Sequence, residues 1–180
     1  RKVGKDPPIP MARPPGLEPS VQFDSSNARM CRMEFQAWTG QTVQQAAAVP
    51  YRWRKNSLQL CLITTSSGNW IFPKGRLASK ETLIKTAQKE AWEEAGLRGT
   101  IDPIPLGCFQ FPKGKQKPLI AAMLMEVSTT RSKWPEMDKR RREWLGPTQV
   151  SALLTYPSLG EVLKAACWRI EQRKMKLEAS

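Results

Sequence analysis

The sequence predicts a mixed α/β domain in which strands come first, a helix interrupts them, and a second helix closes the chain. Three observations predict it. Runs of branched apolar residues are separated by turn residues. Two stretches carry apolar residues at helical spacing. Across the 180 residues, 40% are hydrophobic and 25% charged, a balance that supports one packed core and excludes wholesale disorder.

The elements follow in order. Residues 1–35 read as a Pro-rich flexible tail, with Pro7, Pro8, Pro10, Pro14, Pro15 and Pro19 and no periodicity, and residues 36–180 read as the folded domain. Thr42–Tyr51, rich in Thr, Val and Ala, suggests a first strand. Ser57–Thr65 is a stronger strand, and Ser66–Asn69 a turn into the short strand Trp70–Phe72, so this stretch predicts a hairpin. Residues 80–95 predict a helix with Ser79 as its N-cap and Gly96 as its stop. Leu106–Phe111 and Leu119–Val127 predict two further strands. Ser158 to about Lys176 predicts an amphipathic helix burying Leu159, Val162, Leu163, Ala166 and Ile170.

Composition narrows the chemistry. There is no His, so no Ser-His-Asp or Cys-His nucleophile, no His base and no His metal ligand is available. Cys31, Cys61, Cys108 and Cys167 lack zinc-type spacing and read as free thiols of a reducing compartment. No apolar run reaches the roughly 18–20 residues of a membrane helix, and no signal-peptide core follows the N-terminus. A cytoplasmic protein without membrane contact is expected, with the nucleus as the alternative in a eukaryote. The net charge is +13, of which +2 falls on the tail, so the domain carries the basic character. Anionic partners follow: phosphorylated small molecules or nucleic acid.

Against that basic background, Glu90, Glu93 and Glu94 crowd one helix. With Leu83 as origin and about 100° per residue, Ala87, Ala91, Ile84 and Ala95 fall at about 40°, 80°, 100° and 120°, a core stripe. Glu94 falls inside it at about 20°, Glu90 borders it at about 340°, and Glu93 lies near 280°. A solvated acidic face would lie opposite the stripe. Carboxylates at the edge of a core repel one another and lose hydration, costs that a divalent cation removes. With no thiolate or imidazole among them, they are hard ligands suited to Mg²⁺ or Mn²⁺. The competing reading is an ion-paired helix with Lys85 and Lys89 as partners.

The 23 residues Gly75–Leu97 (GRLASKETLIKTAQKEAWEEAGL) resemble the Nudix box. That pattern is Gly, five residues, Glu, seven residues, Arg-Glu-apolar-x-Glu-Glu-x-Gly-apolar. Gly75, Glu81, Glu90, Glu93, Glu94, Gly96 and Leu97 are in register. Lys89 stands where the pattern has Arg, which keeps the charge and loses the bidentate fork. The lead-in GNWIFPKG, with Trp134-Pro135-Glu136 and Arg142-Glu143-Trp144 downstream, is similar to the diphosphoinositol polyphosphate and dinucleoside polyphosphate phosphohydrolase branch.

The resemblance implies a mixed sheet sandwiched between helices and a Mg²⁺-dependent hydrolase that cleaves a phosphoanhydride bond. It implies that Glu90, Glu93 and Glu94 ligate the metal with the Gly75 carbonyl, and that Glu81, with Lys89, holds the box loop. Gly96 would close the helix in a left-handed conformation. Glu93, Glu136 and Glu143 are the candidate general bases. Lys74 and Arg76 flank Gly75 and are expected to contact phosphate. Lys113 and Lys115 lie in an inter-strand loop that reads either as a phosphate clamp or as a solvated turn. The run Lys139–Arg142 cannot aim four consecutive side chains at one ligand. Trp70, Trp134 and Trp144 read as base-stacking platforms or as core. Two alternatives stand beside the small-molecule hydrolase: an RNA-end pyrophosphohydrolase, and a non-catalytic Nudix-fold module that binds RNA or nucleotide.

Overall fold

β1 (Val43–Arg54) is the strand on which the sheet is built, and its consecutive residues Ala46, Ala47, Ala48 and Val49 are fully buried. The structure is a computed structural model that describes residues 42–110 and 117–179. The Pro-rich stretch, Lys113 and Lys115 lie outside the described residues.

β1 turns through Lys55 and Asn56, both at positive φ (48° and 62°), into β2 (Ser57–Thr64), with Arg54 opposite Ser57. Two left-handed residues give the tight turn that matches strand twist. β1 therefore runs three residues past the expected Tyr51, because the Lys-Asn turn lacks the glycine that usually announces it. The predicted hairpin is present: β2 pairs antiparallel with β3 (Trp70–Ile71), and Gly68 at φ 82° makes the turn.

β4 (Lys74–Arg76) pairs antiparallel with β1, α1 (Leu83–Ala95) follows, and β5 (Leu97–Ile101) leaves its C-terminus. β6 (Gly107–Gln110) and β7 (Leu119–Thr130) are antiparallel, while β7 lies parallel to β1. β8 (Arg142–Leu145) adds antiparallel to β2, and the chain ends in α2 (Pro147–Leu153) and α3 (Pro157–Glu178). The path β3-β2-β1-β7-β5, with β4 beside β1, β6 beside β7 and β8 beside β2, makes one mixed sheet of eight strands.

Side chains alternate across β1, so Ala46 and Tyr51 lie on opposite faces. Ala46 pairs with Gly75, which abuts Glu90 of α1, whereas Tyr51 shares a cleft with Ile170 of α3. Helices therefore cover both faces, the expected sandwich. Leu159, Val162, Leu163, Ala166 and Ile170 of α3 are all buried, as their spacing predicts.

The helix start differs from expectation. Thr82, not Ser79, is the N-cap: its hydroxyl accepts from the Lys85 N–H at 3.2 Å. Lys80 sits at φ 67°, a conformation that no helix interior allows, so residues 80–82 belong to the approach loop. β4, β5, β8 and α2 lie outside the predicted elements. The first three are three to five residues long, and their pairing comes from distant strands rather than from their own pattern.

Candidate active site

Two backbone groups of β4 meet two carboxylates of α1. A Cβ placed on Gly75 would stand 2.1 Å from Glu90 Oε1, closer than any side chain permits, so only glycine lets the strand approach this carboxylate. One residue earlier, the Lys74 N–H donates to Glu94 Oε2 at 2.8 Å. Glu90 and Glu94 stand one turn apart on the helix face that packs against β4 and β1, and both are buried.

Burial sets their electrostatics. Desolvation pushes the Glu94 carboxyl up to about 7, against the lowering effect of the Lys74 N–H and Arg140. Glu90 is raised in the same direction, first by burial, with Lys89 opposing and Glu93 and Glu136 adding repulsion. Lys89 Nζ lies 3.7 Å from Glu90 Oε1 and is the nearby lysine of the ion-paired reading. Glu94 Oε1 is held instead by the Arg140 guanidinium, whose Nε donates to Glu136 Oε2 at 2.6 Å and whose Nη1 donates to the Thr64 carbonyl at 3.1 Å.

Glu93 is half-buried, and its backbone carbonyl accepts from the Glu136 N–H at 3.0 Å, which brings the loop carrying Glu136 to the helix. With Glu94 turned to Arg140, no three acidic or thiol side chains among the described residues converge as they stand. The donor set nonetheless fits a hard divalent cation. It supplies only oxygens, two of its carboxylates are buried at a cost in desolvation, and the Gly75 backbone lies against one of them.

The supporting residues fall into place around this pair. Glu81 Oε2 accepts from the Thr86 hydroxyl at 2.9 Å and the Ala78 N–H at 3.3 Å, bonds that hold its carboxyl below the usual range. It thus ties the approach loop to the helix through Thr86, while Lys89 turns to Glu90. Gly96 is left-handed (φ 63°, ψ 33°), and its N–H reaches the Ala91 and Trp92 carbonyls. Arg76 is exposed and pairs in register with Gln45. The Lys139–Arg142 run splits as the sequence requires. Arg140 reaches Glu94, Arg141 sits over the Trp70 ring at 5.8 Å, and Arg142 stacks on Trp134 at 4.2 Å and donates to the Ala95 carbonyl.

The model of the NUDIX domain matches residues 42–166. This chain belongs to the NUDIX domain family. Nudix hydrolase 13, mitochondrial, of Arabidopsis thaliana is 30% identical over 122 residues, 61% of this chain and 60% of that protein. Nudix hydrolase 16, mitochondrial, of the same plant is 30% identical over 131 residues, covering 66% and 70%. The chain thus spans under two thirds of the length of Nudix hydrolase 13. Among solved structures, the binary complex of the C. elegans Ap4A hydrolase superposes with a TM-score of 0.61 at 18% identity, over 73% of this chain and 99% of that one. The NUDIX domain of Shewanella oneidensis NrtR complexed with ADP ribose gives 0.58 at 16%, over 71% and 88%. At such identities the likeness is one of fold.

In this NUDIX domain, the 23-residue box spans the last two residues of β4, the approach loop, α1 and the first residue of β5. Residues outside the box complete it. Trp134 Nε1 donates to the Glu94 carbonyl at 3.2 Å, so this indole serves the helix end. Trp144 lies under Arg52 at 3.9 Å. Arg140 was not singled out in the sequence. Its signal is a basic residue in the run after Trp134-Pro135-Glu136, but four neighbouring cations hide which one turns inward.

Proposed function

We propose that this chain is a divalent-metal-dependent pyrophosphohydrolase that cleaves a phosphoanhydride bond in a highly anionic small molecule. Dinucleoside polyphosphates and diphosphoinositol polyphosphates are the leading substrates. The observation that carries the reading is the buried pair Glu90 and Glu94 set against Gly75 of β4 in a chain of net charge +13. Such a pair is costly to fold and is explained by a ligand that needs it.

Glu90, Glu93 and Glu94, with the Gly75 carbonyl, would hold Mg²⁺ or Mn²⁺. Bound there, the ion would supply neutralisation of phosphate charge and a more acidic water. The chain's own groups do the rest. Glu81 and Gly96 hold the two ends of the helix that carries the carboxylates. Lys74 and Arg76 flank Gly75 and would meet phosphate, with Lys113 and Lys115 as further candidates outside the described residues. Among the candidate bases, Glu136 shares the Arg140 guanidinium with Glu94, whereas Glu143 is exposed and pairs with Arg141 at 3.9 Å. Of the two solved structures above, one is an Ap4A hydrolase and the other a NUDIX domain complexed with ADP ribose, which supports a nucleotide-type substrate.

The test is release of phosphate or nucleotide from a panel with and without Mg²⁺. The panel holds dinucleoside polyphosphates, diphosphoinositol polyphosphates, nucleoside triphosphates, nucleotide sugars and 5′-triphosphate RNA. Mg²⁺-dependent turnover of one class, lowered at least about 100-fold by Glu94→Gln with the fold intact, is the expected result. Turnover of 5′-triphosphate RNA alone would move the substrate to RNA ends. Salt-sensitive RNA binding with no turnover of any class would replace the enzyme by a binding module. A cytoplasmic site of action belongs to the same proposal, and it is checked by fractionation. Several relatives are named as mitochondrial or chloroplastic, and no described helix is long and apolar enough to cross a membrane.

A further inference from the structure

Arg140 joins three segments at one point. Its guanidinium takes Glu94 Oε1 from α1, Glu136 Oε2 (2.6 Å) from the loop before β8, and the Thr64 carbonyl (3.1 Å) from the end of β2. Its side chain is 20% exposed, that of Glu94 only 7% and that of Glu136 29%. The loop is anchored independently on both sides. The Glu136 N–H bonds the Glu93 carbonyl, and Arg141 exchanges two hydrogen bonds with Thr64 (2.9 and 3.0 Å). Arg140 is therefore fixed beside the carboxylate pair whether or not it bonds Glu94.

Two cations cannot fully share Glu94 Oε1. A guanidinium bonded through Nε and Nη1 to Glu136 and Thr64 keeps its Nη2 donors aimed at the Glu94 side, and a planar fork of this kind suits phosphate oxygens. We propose that Arg140 is the built-in counter-ion of Glu94, and that it exchanges this carboxylate for a substrate phosphate oxygen when a divalent cation occupies the pair. The inference rests on the functional reading above. It makes Arg140 a residue that balances the Glu94 charge when no cation is bound and binds phosphate only in the loaded site.

The experiment uses the full chain and its Arg140→Gln, Arg140→Lys and Glu94→Gln variants, all followed without turnover. Titration calorimetry with Mn²⁺ should show Arg140→Gln binding the ion about tenfold tighter than wild type, because the competing cation is gone. Methylene bisphosphonate, a non-hydrolysable phosphate probe, should bind Arg140→Gln at least about tenfold more weakly than wild type when Mn²⁺ is present, and equally when it is absent. Arg140→Lys keeps the charge without the fork; it should fold as wild type and fall between the two in both titrations. Unchanged or weaker Mn²⁺ binding in folded Arg140→Gln or Arg140→Lys overturns the counter-ion role. A bisphosphonate loss of equal size with and without Mn²⁺ overturns the exchange. Glu94→Gln separates these failures from the wider reading: if it binds Mn²⁺ like wild type, the metal assignment of Glu94 falls, and the Arg140 proposal falls with it.

Discussion

The stretch Gly75–Leu97 and the stretch Arg131–Leu145 border the same two carboxylates in opposite ways. The first is held by bonds between near neighbours: Thr82 to Lys85, Glu81 to Thr86, Gly96 to Ala91 and Trp92. The second has local bonds of its own, such as Arg140 to Glu136, but distant partners tie it to the helix. Trp134 bonds Glu94, Arg140 bonds Glu94 and Thr64, and Arg142 bonds Ala95. The donors come from a local motif, but their charge balance and the sealing of their helix come from a remote one. A site of this kind can keep its chemistry while its tuning varies with the second segment.

The first way to break the comparison is to spoil the local half. Gly75→Ala drives a methyl into the Glu90 carboxylate, with 2.1 Å where ordinary contact needs well over 3 Å. Either β4 leaves β1 or Glu90 leaves its place. We expect a loss of about 1–3 kcal/mol in urea unfolding and loss of most turnover. Wild-type activity from Gly75→Ala would show that the close approach is not needed.

The second prediction probes how the remote half balances charge. Burial lifts the Glu94 carboxyl to about 7, above the ordinary 4.5, so the folded protein holds this proton more tightly than the unfolded chain does. The stabilisation is fully present below about pH 4.5 and is lost as pH rises through about 7. In chelator, Glu94 alone should make the protein about 3 kcal/mol less stable at pH 8 than at pH 4.5. Glu94→Gln, measured beside wild type by urea unfolding at both values, should remove this difference. A wild-type difference equal to that of Glu94→Gln would mean that Arg140 compensates Glu94 fully.

The same contrast explains what could be read from the sequence. The box helix was legible because spacing alone places Glu94 inside the stripe of Leu83, Ala87 and Ala91, and the structure buries all four. Gly96 was legible because a helix stop in left-handed backbone favours glycine. Thr82 was missed as the cap because Ser79 is an equally good capping residue, and the left-handed Lys80 between them leaves no trace in composition. Arg140 and the strands β4, β5 and β8 were illegible for a shared reason: their partners lie tens of residues away, and a short segment carries no mark of them.

The third prediction tests the junction where the two halves meet. Gly96→Ala places a Cβ at positive φ and 2.8 Å from Trp134 Cβ, so it strains the helix stop and pushes the remote segment away together. A cost of about 1–2 kcal/mol is expected. Fluorescence should report the change as greater exposure of Trp134. A stability cost without that spectral change would confine the damage to the helix end.

The smallest effect isolates one bond of the remote half. Trp134→Phe keeps an aromatic ring under Arg142, which stacks at 4.2 Å, and deletes only the Nε1–H that reaches the Glu94 carbonyl at 3.2 Å. That carbonyl lies in the last turn of α1, where no further helical N–H follows to satisfy it. Removing the donor should cost about 1 kcal/mol. The Glu94 carboxylate keeps its own bonds to Lys74 and Arg140, so Mn²⁺ affinity should change less than threefold. If the metal affinity instead falls in step with stability, the remote segment sets the posture of Glu94 through its backbone as well as through Arg140. The division between a motif that supplies ligands and a segment that only tunes them would then be too sharp.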